Sequence, residues 1–104
     1  MRQITIESLN AFLNAKKFNK SNMSVEVLPN VTVLKYQGNE IAFKYNDQKQ
    51  TIAITNCGWF SNTTKERLNG VIRLSGLNIK EIYQKNFVWY LNGKEWDGNL
   101  IDLN

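Results

Sequence analysis

The sequence predicts a single domain, residues 1–104, with an α+β fold. Apolar residues recur at spacings of three and four near the N-terminus and again after residue 60, as in amphipathic helices. Between these segments, and again after residue 80, they alternate with a period of two, as in strands. No strand–helix–strand repeat occurs, which favours α+β over a doubly wound α/β fold. We therefore expect an antiparallel β-meander with an N-terminal helix, a second helix after the fourth strand and a C-terminal β-hairpin.

The segment TIESLNAFLNAKKF, residues 5–18, predicts the first helix. Four apolar residues at helical spacing form its buried face: Ile6, Leu9, Phe12 and Leu13. Thr5 or Ser8 is expected to cap its N-terminus, because either hydroxyl can accept a hydrogen bond from a free backbone N–H. Lys16 and Lys17 would lie at its C-terminal end, where positive charge complements the helix dipole.

The β-meander is expected from four short runs in which apolar and polar residues alternate. They are SVEVL (24–28), VTVLKY (31–36), EIAFKY (40–45) and TIAIT (51–55). Pro29-Asn30 predicts the turn between the first two runs. Gly38-Asn39 predicts a tight hairpin between the second and third, because glycine adopts a positive φ without a steric clash. Short turns of this kind favour antiparallel pairing.

Residues 61–74 predict the second helix. Thr63 and Glu66 have the spacing of a capping box, in which each side chain accepts a hydrogen bond from a backbone N–H of the first turn. Three residues at helical spacing form the apolar face: Leu68, Val71 and Ile72. Gly76 is expected to end the helix in the left-handed conformation.

Residues 78–96 predict a C-terminal hairpin that is rich in aromatic side chains. Asn92-Gly93 is a strong signal for a type I′ turn. Alternation along the strand before this turn places Phe87 and Trp89 on one face and Tyr90 on the other.

The composition excludes several classes of site. The chain has no histidine, so the commonest general base and metal ligand of proteins is absent. Cys57 is the only cysteine, which rules out an intrachain disulfide, a zinc site and a Cys–His pair. Neither a GxxxxGK nor a GxGxxG phosphate loop occurs. We expect a non-enzymatic protein without metal or cofactor, in which Cys57 is a small buried thiol.

The N-terminal segment and the apolar runs bear on localisation. Apolar runs are only a few residues long, and MRQITIESLN has no continuous apolar stretch of the kind found in secretory signals. A single cysteine also suits a reducing compartment. The expected localisation is therefore the cytoplasm.

The stretch NCGWFSNTTKERLNG, residues 56–70, is the first candidate for a binding site. Trp59 is expected to pack beneath the second helix, with base stacking or anchoring of a partner protein as alternatives. The exposed start of the helix would be lined by Thr63, Thr64, Lys65, Arg67 and Asn69. Free N–H groups there favour anions, and Arg67 can bind phosphate or carboxylate through two hydrogen bonds. A salt bridge within the protein is the alternative role for Arg67.

The aromatic hairpin is the second candidate. Trp89, Tyr90 and Trp96 would form a contact surface for a partner protein, since aromatic residues dominate interface hot spots. The alternative is that the hairpin buries its aromatic side chains against the first sheet.

The net charge of +4, from 13 basic and 9 acidic side chains, permits a nucleic-acid partner without requiring one. Under that hypothesis five cationic side chains would bind phosphates: Lys16, Lys17, Lys20, Lys65 and Arg67. Tyr90 or Trp59 would stack on bases. A hydrolase that works without histidine is a third hypothesis, for which no acidic pair has a diagnostic spacing.

Three segments, YQGNEIAF, GWFSNTTKERLNGV and WYLNGKEWDG, carry a family resemblance. The sequence resembles a group of small, uncharacterised bacteriophage and prophage proteins. The matching residues are Gly38, Asn39, Ile41, Ala42, Gly58, Trp59, Thr63, Thr64, Arg67, Leu68, Asn69, Trp89, Tyr90, Leu91, Asn92, Gly93, Trp96, Asp97 and Gly98. They span about residues 36–98 and leave the N-terminal helix outside the resemblance.

The resemblance implies a phage-encoded accessory protein and no catalytic mechanism. Small phage proteins often bind a host protein or nucleoprotein, and inhibitors of host or defence machinery, such as anti-CRISPR proteins, are of this size. Two hypotheses therefore lead: a protein-binding accessory factor, and a small basic nucleic-acid-binding protein.

Overall fold

The computed structural model describes residues 1–104 and shows an α+β fold. The elements in chain order are α1 (Gln3–Leu13), β1 (Phe18–Lys20), β2 (Met23–Val27), β3 (Val31–Tyr36), β4 (Asn39–Tyr45), β5 (Ile52–Ile54), α2 (Asn62–Ser75), β6 (Tyr83–Lys85), β7 (Val88–Leu91), β8 (Lys94–Glu95) and β9 (Ile101–Asp102). The predicted fold class is confirmed. The second helix follows the fifth strand instead of the fourth, because a short strand that was not predicted, β1, lies between α1 and the meander.

The strands form two antiparallel sheets. The larger sheet has the order β1-β2-β3-β4-β5-β9, and the smaller has the order β6-β7-β8. In β9, Asp102 pairs with Ala53 of β5, so the C-terminal segment returns to the first sheet. The aromatic hairpin is therefore part of a separate small sheet that lies between α2 and the last strand in the sequence.

The N-terminus of α1 differs from the prediction. The helix is capped by Arg2, which makes no side-chain cap hydrogen bond. Thr5 and Ser8 are both buried inside the helix, where Ser8 Oγ donates to the Thr5 carbonyl at 3.1 Å. The predicted caps are wrong because these hydroxyls face the core side of the helix.

The C-terminus of α1 also lies earlier than predicted. The helix ends at Leu13, and Ala15 has a left-handed φ of 53°. Lys44 Nζ of β4 donates to the Leu13 carbonyl at 2.6 Å. The cation at this helix end therefore comes from the sheet, and Lys16 and Lys17 lie beyond the last turn.

The turn between β3 and β4 consists of Gln37 and Gly38, one residue earlier than predicted. Their φ values of 51° and 80° are those of a type I′ turn. Asn39 is the first residue of β4. The glycine thus occupies the second central position of the turn, and the hairpin predicted from it is present.

A β-bulge in β4 changes which residues face the core. The pairing register with β3 shifts between Leu34 and Lys35, which leaves Ile41 as an extra residue. Ile41 and Ala42 are consequently both buried. A strict alternation would have exposed one of them.

The two helices run side by side in parallel. At their N-termini, Arg2 Nη2 donates to Thr63 Oγ1 at 3.2 Å. Farther along, a Cβ added at Gly70 of α2 would lie 2.5 Å from Leu9 Cδ1 of α1, so the helices touch closely at this glycine. The core between them and the sheets has sixteen members: Leu9, Phe12, Met23, Val25, Leu34, Ile41, Ala42, Ile52, Ile54, Leu68, Val71, Ile72, Ile82, Trp89, Leu91 and Trp96.

Candidate functional site

The corner before α2 holds Trp59 at the surface. Asn56 is buried, its Oδ1 accepts from Gly58 N at 2.8 Å, and its carbonyl accepts from Trp59 N at 2.8 Å. Cys57 and Gly58 turn the chain with φ values of 53° and 83°. Trp59 emerges 58% exposed. The expectation that it packs beneath α2 is wrong, and its roles in stacking or partner anchoring stay predictions.

Phe60 packs against the buried Trp89 of β7. The two rings meet edge to face with centroids 5.1 Å apart, and Trp96 lies 6.2 Å from Trp89 on a tilted plane. Trp96 is also buried, and its Nε1 donates to the Asn99 carbonyl at 2.9 Å. The predicted contact surface does not include Trp89 and Trp96, because both face the core.

Tyr90 lies on the opposite face of the small sheet, as alternation predicts. Its ring stacks on Tyr83 of the neighbouring strand, with centroids 5.1 Å apart and planes 10° apart. Tyr90 is half-buried, whereas Tyr83 is exposed. A binding role for Tyr90 stays a prediction, and any partner would meet Tyr83 as well.

Phe87 is the most exposed large apolar residue of the chain, at 94%. It forms the turn between β6 and β7 together with Asn86, and their φ values are 66° and 53°. The prediction that Phe87 shares a strand face with Trp89 is therefore wrong. A turn without glycine gave no strong signal in the sequence, although Asn86 tolerates the left-handed conformation.

The start of α2 is capped by Ser61. Its Oγ accepts from Thr64 N at 3.1 Å and lies 2.9 Å from Thr64 Oγ1. Thr63 lies within the first turn, and Glu66 points to α1, so the predicted capping box is wrong. Thr64 is buried. Its hydroxyl is thus used inside the cap and is not an exposed binding group.

Arg67 is buried, with 1% of its surface exposed, although it was a candidate for exposed anion binding. Its Nη1 donates to Thr5 Oγ1 at 2.6 Å and to the Glu66 carboxylate, and its Nε lies 3.3 Å from Met23 Sδ. The guanidinium also lies 5.6 Å from the Tyr36 ring centroid. Arg67 therefore has the alternative role, a salt bridge within the protein, and its contacts join both helices to the sheet.

Asn69 also acts within the fold. Its Nδ2 donates to the Ile82 carbonyl at 2.9 Å, and its Oδ1 accepts from Ile82 N at 2.6 Å. This pair of hydrogen bonds fixes the chain before β6 against α2. The side chain is therefore occupied and does not line an exposed helix start.

The five cations of the nucleic-acid hypothesis do not form one patch. Arg67 is buried, and Lys20 Nζ is paired with Glu7 at 2.9 Å. Lys16 and Lys17 follow the C-terminal end of α1, whereas Lys65 lies in the first turn of α2. Because the helices run parallel, these lysines lie at opposite ends of the helix pair.

Cys57 is exposed, so the expected buried thiol is wrong. Its Sγ donates to the Glu40 carbonyl at 3.1 Å. Partial burial, together with the charge of Glu40, raises the pKa of the thiol above its ordinary value. No group of three or more His, Cys, Asp or Glu side chains could hold a metal ion, and no helix has the length and apolarity needed to cross a membrane.

Three exposed aromatic side chains come from the corner before α2 and from the β6–β7 turn, and we call them the aromatic edge: Trp59, Phe60 and Phe87. Phe60 contacts Trp89 of β7, and Phe87 lies in the turn that leads into β7, two residues before Trp89 in the sequence. Two of the three side chains are thus tied to β7, and Trp59 directly precedes Phe60 in the sequence. Such an arrangement suits contact with an apolar pocket of another molecule. Of the three, only Trp59 is a binding residue predicted from the sequence.

Comparison with known families supplies the origin of the protein. The chain matches the family model of the Kyanoviridae Gp96 protein over residues 1–102. The chain belongs to this phage protein family. The Gp96 match includes α1, which the sequence resemblance left out, and the predicted phage origin is confirmed. No curated protein and no solved structure matches the chain.

Proposed function

We propose that this Gp96-family protein is a non-enzymatic phage accessory protein that binds a host protein or nucleoprotein through its aromatic edge. The observation that carries the proposal is Phe87, which is almost fully exposed on a backbone with a φ of 66°. A left-handed backbone costs a residue such as phenylalanine about 1–3 kcal/mol, and a solvated ring contributes no burial to the fold. A contact outside the chain accounts for both features.

Trp59 and Phe60 supply the rest of the exposed apolar area in the proposed interface. Both are more than half exposed, at 58% and 54%. Tryptophan is among the residues most enriched at interface hot spots, and aromatic anchors bind best in desolvated pockets. The partner is therefore expected to supply an apolar pocket that receives these rings.

The chemistry beside the aromatic edge supports binding over catalysis. Cys57 is the candidate nucleophile nearest to Trp59, and its raised pKa keeps the thiol protonated at neutral pH. The chain has no histidine that could act as its base.

The phage origin supports an action in the cytoplasm of the bacterial host. A small protein that covers an apolar pocket blocks whatever the host protein binds there. An inhibitor of host or defence machinery, of the anti-CRISPR type, is the form of this proposal that we favour.

A small basic nucleic-acid-binding protein is the second candidate, because Trp59 is free to stack and Lys65 follows it by six residues. Lys65 is not part of an ion pair, so its charge is available. The scattering of the other cations counts against a continuous phosphate track.

Affinity capture from a host lysate tests the proposal with three immobilised proteins: wild type, Phe87→Ser and Leu28→Ser. Leu28 is also an exposed apolar residue, but it lies in the turn between β2 and β3. We expect wild type and Leu28→Ser to recover the same host protein, and Phe87→Ser to recover about tenfold less. Equal recovery by all three, or no specific protein at all, contradicts the proposal.

A salt titration with a dT20 oligonucleotide tests the second candidate. Phosphate-driven binding weakens steeply as salt rises, because counterions are released on association. Binding of this kind, combined with no captured host protein, would replace the first proposal by the second.

A further inference from the structure

Trp89 carries a buried hydrogen-bond donor that the fold does not use. Its side chain is 1% exposed, and Nε1–H has no hydrogen-bond partner. The Nε1–H of the neighbouring Trp96, by contrast, donates to a backbone carbonyl. A buried donor left without an acceptor costs about 1–3 kcal/mol. An acceptor supplied from outside would recover that free energy.

Lys65 places a positive charge at the same ring. Its Nζ lies 6.0 Å from the Trp89 ring centroid and makes no ion pair. The adjacent carboxylate, Glu66, is already bound by Arg2, Thr5 and Arg67. The charge of Lys65 is therefore uncompensated within the protein.

Phe60 packs on the same Trp89 ring. Its ring meets Trp89 edge to face at 76°, yet the side chain is more than half exposed. Exposed side chains change rotamer within picoseconds to nanoseconds. Phe60 can therefore turn aside from the indole of Trp89, next to which the partly exposed Lys65 already lies.

We propose that an acidic segment of the partner protein places a carboxylate beneath Phe60, where it accepts from Trp89 Nε1–H and Lys65 Nζ. This inference rests on the proposed function and names the chemistry of the partner that the aromatic edge binds. A donor on the Trp89 ring and a cation beside the same ring favour an anion. Hydrogen bonds to charged acceptors are about twice as strong as neutral ones.

A carboxylate fits this point better than a nucleic acid. A nucleic-acid strand repeats its phosphates and needs a series of cations to bind them. Lys16 and Lys17 lie at the far end of the helix pair, so they do not form a series of cations with Lys65. A single carboxylate needs only the ammonium and the indole donor.

Indole ¹⁵N–¹H resonances of the ¹⁵N-labelled protein test the inference directly. The variants Trp59→Phe and Trp96→Phe assign the Trp89 resonance by elimination. The probes are an acetylated, amidated hexaglutamate peptide, the matching hexaglutamine peptide and a dT6 oligonucleotide, each titrated at constant ionic strength. We expect hexaglutamate alone to shift the Trp89 resonance.

Two lysine variants separate the carboxylate contact from general charge attraction. Lys65→Gln is expected to weaken hexaglutamate binding about fivefold, whereas Lys49→Gln, at another unpaired lysine, leaves it unchanged. An unmoved Trp89 resonance, an equal loss in both variants, or a shift with dT6 as large as that with hexaglutamate overturns the inference.

The outcome is separable from that of the host-protein capture. If capture depends on Phe87 but hexaglutamate does not shift the Trp89 resonance, the aromatic edge is supported as an interface and the carboxylate contact is overturned. A specific Trp89 shift without any captured protein supports the carboxylate contact and overturns the assignment of a host partner.

Discussion

Arg67 joins the two helices to the sheet through residues that are far apart in the sequence. Its hydrogen-bond partner Thr5 lies 62 residues away, and Met23 lies 44 residues away. The sequence alone shows an arginine near a helix start, which equally suits anion binding. Only the packing of α1 against α2 decides that the guanidinium is buried.

Replacing Arg67 by alanine should therefore destabilise the protein strongly. We expect Arg67→Ala to lower the free energy of unfolding by about 3 kcal/mol, because it leaves buried polar partners without their cation. Arg73→Ala is the matched control, since Arg73 lies on the same helix and pairs with Glu81 at the surface. Its loss should stay below about 1 kcal/mol. Urea unfolding measures both values, and equal losses would contradict the structural role.

Glu66, which is hydrogen-bonded to Arg67, makes the stability of the protein depend on pH. Burial opposes its ionisation, but hydrogen bonds from Thr5, Arg2 and Arg67, together with the charge of Arg67, outweigh burial and lower the pKa of Glu66 below its ordinary value of 4.5. A carboxyl group with a lowered folded pKa stabilises the fold while it is ionised. That contribution is complete above the unfolded pKa and is lost as the pH falls through the folded pKa.

Chemical unfolding between pH 6 and pH 3 should show this loss. We expect the free energy of unfolding of the wild type to fall below about pH 4.5, and Glu66→Gln to show a smaller fall over the same range. Glu95→Gln is the control, because Glu95 is exposed and forms no ion pair. A Glu66→Gln profile parallel to that of the wild type would exclude this role for the carboxylate.

At the scale of elements, the β6–β7 turn exposes the ring of Phe87 at a cost in the stability of the fold. A type I′ turn prefers Asn-Gly, and Asn86-Phe87 has only the first of these residues. We expect Phe87→Gly to raise the free energy of unfolding by about 1 kcal/mol, because glycine removes the cost of the left-handed backbone. Thermal unfolding measures the change. A loss of stability would show that the ring contributes to the fold, which would undermine its role as an external anchor.

The contact between α1 and α2 depends on Gly70. A larger side chain there would meet Leu9 and Thr5, both buried. We expect Gly70→Val to destabilise the protein by about 2 kcal/mol or more through overpacking. Leu74→Val places the same β-branched side chain at an exposed position of α2 and should cost well under 1 kcal/mol by helix propensity alone. Helix propensity alone would favour valine over glycine, so a loss at position 70 no larger than that at position 74 would contradict the close contact.

At the scale of the whole molecule, local patterns in the sequence predicted most elements but not their assembly. Helical spacing located α2 and its terminator Gly76, and Asn92-Gly93 located the last hairpin turn. Each of these depends on a few neighbouring residues. The return of β9 to the first sheet and the close contact at Gly70 depend on distant segments, which sequence periodicity does not encode.

The same limit applies to the proposed binding surface. Composition identified aromatic residues near positions 59 and 89, but it could not decide which of them are buried. The return of the chain at Trp96 and the packing of Phe60 bury Trp89, whereas the turn at Asn86 exposes Phe87. Of the predicted binding residues, Trp59, Lys65, Asn69 and Tyr90 keep accessible surface, and the interior contains Thr64, Arg67, Trp89 and Trp96.

Site-specific photo-crosslinking in infected host cells tests the central claim, that the aromatic edge is the interface with a host partner. The photoreactive analogue p-benzoylphenylalanine replaces Phe87 in one variant and exposed Leu28 in the other. The account predicts one discrete crosslinked host protein from position 87 and none from position 28. Crosslinks of equal yield from both positions, or crosslinks from position 28 alone, would contradict it.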